Sequence, residues 1–347
     1  MKKITGIEIA RLAGVSRSTV SRVINGYGNV PLETKQKVIK VIEELEYYPI
    51  LSGQLLAGKN TGTLGFFWVS ETPIVNEIQC SAFIVYVMEA AASLGYLVLT
   101  CFVKNLKDEK NVQLVKRIFM QERIDAGVFI GLDNNEPLIE ELITKGKIVG
   151  VFGHFHPNNR EPNRITVNFE RDTGEKVINY AYEKGHRRIA VICGSSKNYT
   201  LQMRYESFIR GMMLHGVEIR PAWVRSNDNS DRKIYILTKK LLAECKGDYP
   251  TVICTSNDNA AFEVYMALQE EGISIPDQIS VIGIDGHEGG KMVTPQLTTF
   301  AFDFQKLFFS LVDRTIKTVE KHDNIPLTEF FPSTLVERGS CCKLSIK

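Results

Sequence analysis

Residues 9–26, Ile-Ala-Arg-Leu-Ala-Gly-Val-Ser-Arg-Ser-Thr-Val-Ser-Arg-Val-Ile-Asn-Gly, limit the fold of this chain more than any other stretch. They spell two short helical patterns joined by a tight turn at Gly14. Ile9, Ala10, Leu12 and Ala13 give the first helix an apolar face, and Val20, Val23 and Ile24 give one to the second. Ser16 stands where an N-cap is needed, because its hydroxyl can accept from a backbone N–H of the following turn. The outer side of the second helix then carries Arg17, Ser18, Ser21, Arg22 and Asn25. Guanidinium, hydroxyl and amide groups on one exposed helix suit base edges and phosphates. The pattern therefore reads as a helix-turn-helix, with duplex DNA as its partner.

Charge is distributed to match. Residues 1–60 hold nine Lys/Arg against five Asp/Glu, while the remainder holds 33 against 35. A basic head on a near-neutral body suits a small DNA-binding module fused to a body with another task. The full length of 347 residues leaves room for two or three domains. A third helical pattern over 33–46, with Val38, Val41, Ile42 and Leu45 at three- and four-residue steps, closes a small three-helix core, and Pro49 stops it. Ile50–Thr63 reads as a linker.

From Gly62 the pattern changes to alternating short apolar strands and helices. Strands are expected at 64–69, 96–102, 126–130, 148–152, 188–193, 251–255 and 280–284. Helices are expected at 83–94, 112–121, 137–144, 172–184, 204–215, 233–244 and 259–270. Such alternation argues for parallel sheets covered on both faces. The strands are too many for one comfortable sheet, so two α/β subdomains are expected, with ligands at the carboxyl ends of the strands. The seven cysteines, at 80, 101, 193, 245, 254, 341 and 342, form no CxxC pair and several lie in apolar runs, which reads as buried reduced thiols. No signal-peptide pattern follows Lys2-Lys3, and no apolar run reaches membrane-spanning length; a cytoplasmic protein is expected.

Several separate motifs, in order, resemble the lactose-repressor/galactose-repressor (LacI/GalR) family of bacterial transcriptional regulators. They are Leu12-Ala-Gly-Val-Ser16 with Ser18-Thr-Val-Ser-Arg-Val-Ile-Asn25, then Glu43-Glu-Leu-Glu-Tyr47-Tyr-Pro49 and Leu55-Leu-Ala-Gly-Lys59. Lys184-Gly-His-Arg-Arg-Ile189, Ser256-Asn-Asp258, Ile275-Pro-Asp-Gln-Ile-Ser-Val-Ile-Gly283 and Thr294-Pro-Gln-Leu-Thr-Thr299 continue the series. The resemblance implies an all-α helix-turn-helix headpiece (1–49), a hinge helix or linker (50–62) and an α/β body (63–347). The body would be two Rossmann-like subdomains of the periplasmic-binding-protein type. The first would comprise about 63–164 and 295–324, the second about 165–294 and 325–340, with crossovers near 164, 294 and 325.

The resemblance also implies function. It points to a ligand-responsive repressor, of a carbohydrate-utilisation operon, that binds a palindromic operator as a homodimer and is released by a sugar-like effector. The alternative is a regulator whose DNA binding is promoted by a corepressor: a nucleobase, another metabolite or a phosphoprotein. Relatives that form tetramers carry a C-terminal leucine-repeat helix; the tail Ser340–Lys347 is too short for one, which favours the dimer.

Arg17, Ser18 and Arg22 match the family's base-reading positions, and Thr5, Ser16, Thr19, Ser21 and Asn25 its phosphate contacts. Leu56 matches the hinge leucine wedged into the minor groove, where an apolar insertion bends the duplex. Ile50 and Gly53 depart from the hinge pattern, and a hinge helix that folds only on DNA is expected. In the body, Arg204, Asn257 and Asp285 match effector-contacting positions; Phe302 takes an effector position that is often polar in the family, and Ser70, with Glu77 and Gln79, is a candidate for the other wall. Arg, Asp and Asn suit a polyol, and Phe302 a sugar face. Gly153, followed by His154, stands where the family commonly has Asp, and Asn229 where it often has an aromatic.

Other apparent motifs carry less. Gly53–Asn60 nearly spells a P-loop but lacks the final Ser/Thr and a feeding strand. His154-Phe-His156 has no neighbouring ligand cluster, and no metal or cofactor is expected. Asp285-Gly-His-Glu288 has no Ser or Cys nucleophile at recognisable spacing, so no enzyme is expected.

Overall fold

The computed structural model describes residues 4–26, 28–48, 60–71, 78–154, 160–194, 199–226, 233–245, 247–322 and 327–344. The headpiece contains α1 (Gly6–Ala13), α2 (Arg17–Ile24) and α3 (Leu32–Glu44). Gly14 ends α1 at φ 66°, a left-handed turn that glycine adopts without a Cβ penalty. Ile9, Ala10, Val20, Val23 and Val38 form the buried centre. Leu12, expected inside, is 47% exposed. It falls off the stripe that Ile9, Ala10 and Ala13 make at the helical period. α3 also stops earlier than its expected barrier: Leu45 follows its last turn and Glu46 turns left-handed at φ 46°. Pro49, the expected stop, and the hinge with Leu56 lie outside the described residues.

The body holds two six-stranded sheets. The first runs β11-β5-β4-β3-β1-β2, with β1 Thr63–Val69, β2 Leu97–Val103, β3 Ala126–Ile130, β4 Ile148–Phe152, β5 Arg164–Phe169 and β11 Thr328–Phe331. All its neighbours pair in parallel. The second runs β12-β10-β9-β8-β6-β7, with β6 Ile189–Cys193, β7 Val224–Ser226, β8 Val252–Thr255, β9 Ser280–Asp285, β10 Thr298–Ala301 and β12 Thr334–Val336. Only β12 there is antiparallel to its neighbour, β10. The helices are α4 (Ile78–Ser93), α5 (Glu109–Met120), α6 (Pro137–Thr144), α7 (Thr173–Glu183), α8 (Tyr199–Leu214), α9 (Lys233–Cys245), α10 (Asp258–Glu270) and α11 (Phe304–Val319). Among the described residues no helix is long and apolar enough to cross a membrane.

Sheet membership moves the crossovers. β5 belongs to the first sheet, with Ile165 and Val167 buried there, so the chain leaves that lobe between Phe169 and Thr173 and not near 164. β10 pairs with β9, so the return lies between Ala301 and Phe304 and not near 294. β11 pairs with β5 before β12 joins the second sheet, which puts the last crossover at Phe331–Thr334 and not near 325.

Packing in the first lobe explains one local sequence choice. Phe67, Phe129 and Phe119 form a cluster of near-parallel rings, with centroids 4.5 Å (Phe67–Phe129), 5.6 Å (Phe67–Phe119) and 6.2 Å (Phe119–Phe129) apart. A Cβ on Gly127 would lie 2.5 Å from the Phe119 ring and 2.9 Å from that of Phe67, so the missing side chain makes room for the cluster.

Candidate DNA-binding face and ligand cavity

The second helix of the headpiece is built from its cap outward. Ser16 Oγ accepts the Thr19 backbone N–H at 3.1 Å, as an N-cap does, and lies 2.7 Å from Ser18 Oγ. Val20 and Val23 hold the inner face down, which leaves Arg17, Ser18, Ser21 and Arg22 exposed in one row. Asn25, at the far end, donates to Ser21 Oγ at 3.3 Å. Thr5 sits at the N-cap of α1 with its side chain making no cap bond. Thr19 is half-buried. All eight headpiece candidates are therefore on α2, its caps or the α1 cap.

The body encloses a cavity of about 270 Å³ where strand ends of the two lobes face each other. Ser70, Arg204, Asn257 and Asp285 all line it. Arg204, from α8, is 4% exposed; it donates through Nη2 to Asp285 Oδ1 at 2.6 Å and through Nη1 to the Ser256 carbonyl at 2.6 Å. Its guanidinium also lies over the Phe169 ring, 4.7 Å from the centroid. Asp285 closes β9 at φ 118°, an unusual conformation for a residue with a Cβ and of the kind that persists where surrounding structure enforces it. Burial raises its carboxyl pKa and Arg204 opposes the rise. Asn257 caps α10 by accepting the Ala260 N–H at 2.8 Å.

Beneath this floor lies Asp258, fully buried. Its Oδ2 accepts the His287 backbone N–H at 2.6 Å and its Oδ1 accepts the Thr299 hydroxyl at 2.7 Å. Gly283 makes room for it, since a Cβ there would stand 2.0 Å from Oδ1. Burial, and then the charge of Asp285, push the Asp258 carboxyl up to about 8. One buried carboxyl thus pins the turn that carries Asp285.

Phe302 departs from expectation. It does not line this cavity; its ring packs 4.0 Å from that of Phe169, on the far side, and faces a second cavity. Aromatic rings do line the first cavity, but they are Trp68, Phe83, Phe152, Phe169 and Phe304. Trp68 and Phe152 come at the ends of strands that were expected, a position that marks them as cleft residues. Glu77 and Asn229 lie outside the described residues, as does His156, and nothing is described of the Gln79 side chain. His154 is buried, with its carbonyl accepting from Asn168 Nδ2 at 3.1 Å. Among the described residues no group of three His, Cys, Asp or Glu could hold a metal, and six cysteines are free thiols.

Residues 7–49 match the model for bacterial regulatory proteins of the lacI family, and residues 178–341 that for a periplasmic binding protein-like domain. This chain belongs to the lacI family. It is 29% identical over 346 residues to the HTH-type transcriptional repressor PurR of Glaesserella parasuis serovar 5 (strain SH0165), covering 97% of this chain and 98% of the relative. A lac repressor dimer bound to operator and the anti-inducer ONPF matches it with a TM-score of 0.80 at 25% identity, over 98% of this chain and 100% of that one. A CelR–cellobiose complex shares the fold, with a TM-score of 0.72 at 21% identity over 97% and 99% of the two chains. This lacI-family member is a DNA-binding transcriptional regulator and not an enzyme.

Proposed function

We propose that this regulator is a repressor that binds a near-palindromic operator as a homodimer, and that a small planar heterocycle such as a nucleobase fills its cleft and promotes DNA binding. The observation that carries the ligand class is the asymmetry of the cavity. Thr200, Arg204, Asn257, Asn259 and Asp285 gather on the second lobe, whereas Trp68, Phe83, Ile130 and Phe152 make the opposing wall mostly apolar. A flat ring with one hydrogen-bonding edge satisfies both walls. A hexose carries hydroxyls around its whole rim, and each one that reaches past the polar groups without a partner costs about 1–3 kcal/mol.

The direction of the response rests on likeness. The chain resembles a lac repressor structure that holds operator and a small molecule together, and another bound to ONPG in the repressed state, with a TM-score of 0.77 at 25% identity. Ligand occupancy and DNA binding are thus compatible in this arrangement. The dimer follows from the half-site logic of a single helix-turn-helix. A second reading, a sugar that releases the repressor, draws on the Arg204–Asp285 pair, whose geometry suits adjacent hydroxyls.

The test is a thermal-shift comparison of nucleobases and hexoses on the full chain. Fluorescence anisotropy then follows, on a duplex selected from a random pool, with each stabilising compound. A nucleobase that raises both melting temperature and operator affinity supports the proposal. A hexose that stabilises the protein and lowers operator affinity overturns it in favour of the second reading.

A further inference from the structure

The second cavity, about 310 Å³, opens between α4, the turn after β9 and the crossover from β10 to α11. Phe83 and Phe304 form part of both cavities, and the successive residues Asp285, Gly286 and His287 pass from the wall of the first to that of the second. The lining chemistry is distinct. Tyr86, Phe302 and Phe304 supply rings, and Asp303 and Glu288 supply carboxylates, while among the described residues no Lys or Arg lines it. Asp303 Oδ1 caps α11 by accepting the Lys306 N–H at 2.9 Å, and no hydrogen bond is described to Oδ2. Glu288 shares its charge with Lys291 at 2.7 Å. His287 is 6% exposed, and its Nδ1 accepts the Gly289 N–H at 2.8 Å. In the neutral ring the proton then sits on Nε2, and no hydrogen bond to Nε2 is described.

We infer that this second cavity binds a small organic cation: a protonated amine on an apolar body, with a neighbouring oxygen to accept from His287 Nε2–H. Aromatic rings beside the Asp303 carboxylate, with Glu288 already shared with Lys291, form an environment that selects a cationic head over a neutral isostere. Because the Asp285–His287 turn and the Phe83–Phe304 partition are common to both cavities, an occupant here bears on the shape of the first. The inference does not depend on which ligand the first cavity takes.

The probe pair is 2-amino-1-phenylethanol and its neutral counterpart 1-phenyl-1,2-ethanediol, titrated calorimetrically into the full chain. The amine is expected to bind at least about 5-fold more tightly than the diol, the preference that roughly 1 kcal/mol of cation–π and carboxylate attraction produces. Asp303→Asn, which keeps a helix-capping side chain, combined with Glu288→Gln, is expected to abolish that preference without changing the melting temperature. Asn257→Ser, which alters the first cavity and keeps a cap, is expected to leave it intact. Equal affinities for the two probes, no binding of the amine at millimolar concentration, or loss of binding in Asn257→Ser alone would each overturn the assignment.

Discussion

Replacing Asp258 with Asn changes how stability responds to pH, and the direction follows from the structure. The carboxyl releases its proton near its ordinary 3.8 in the unfolded chain and holds it up to about 8 in the folded one. Between those values the folded state binds more protons, so this group lowers stability as pH rises from about 4 to 8. At about 1.4 kcal/mol per pH unit, the full interval corresponds to a ceiling on the order of 5 kcal/mol. His186, lowered to about 4 by burial, and His287, also lowered, act in the opposite sense below about 6.5, where the unfolded imidazoles are the ones that hold protons. They are present in both proteins, so the difference between variant and parent isolates Asp258. An amide fits the site: its oxygen can accept the His287 N–H and its NH₂ can donate to Thr299 Oγ1, the two partners of the carboxyl. Urea unfolding of both proteins from pH 5 to 8.5 is the assay. The stability of Asp258→Asn relative to the parent is expected to rise by several kcal/mol over that range. Parallel profiles would refute the reasoning, because they would mean that the parent carboxyl is ionised throughout.

Arg17→Ala is expected to lower discrimination between operator and random duplex by roughly 1–3 kcal/mol while leaving the salt dependence nearly unchanged, as read by anisotropy at several salt concentrations; an equal loss on both duplexes would count against base reading. Ser16→Ala removes the bond to the Thr19 N–H and is expected to destabilise the headpiece by about 1 kcal/mol, measured on its helical melting transition. Arg204→Ala leaves Asp285 buried without its cation and is expected to cost about 3–5 kcal/mol of body stability in urea, with the loss reduced in Arg204→Ala/Asp285→Asn.

Much of this architecture is legible from residue patterns, and the exceptions have physical causes. The helix-turn-helix stands out because capping, glycine turn and apolar period agree over 18 consecutive residues. Long apolar strands such as β1, β3 and β6 stand out as well. β7, β10, β11 and β12 are three or four residues long and rich in Ser, Thr and Arg, too short for a period to register. Of these, β10, β11 and β12 decide two of the crossings between lobes, and β5, a six-residue strand also missing from the expected alternation, decides the other. α11 is different: Phe304, Leu307, Phe308, Leu311, Val312 and Ile316 repeat at helical steps, so the signal is present although it is missing from the alternation first read from the sequence. Ser70, Arg204, Asn257 and Asp285 meet in one cavity because strand ends and the helix starts after them converge in this topology. Phe302 does not, because a residue on a crossover can turn to either side and only packing against Phe169 decides which.

The last forty residues have a consequence for synthesis on the ribosome. β11 completes one sheet and β12 the other, and Ser340 then pins the second lobe by donating to the Val281 carbonyl at 2.6 Å and accepting the Thr298 N–H at 2.8 Å. Neither lobe owns a contiguous stretch of chain, so neither can finish folding while the polypeptide is still being extended, unlike domains that mature in order of emergence. Premature termination near residue 327 therefore spoils both halves at once.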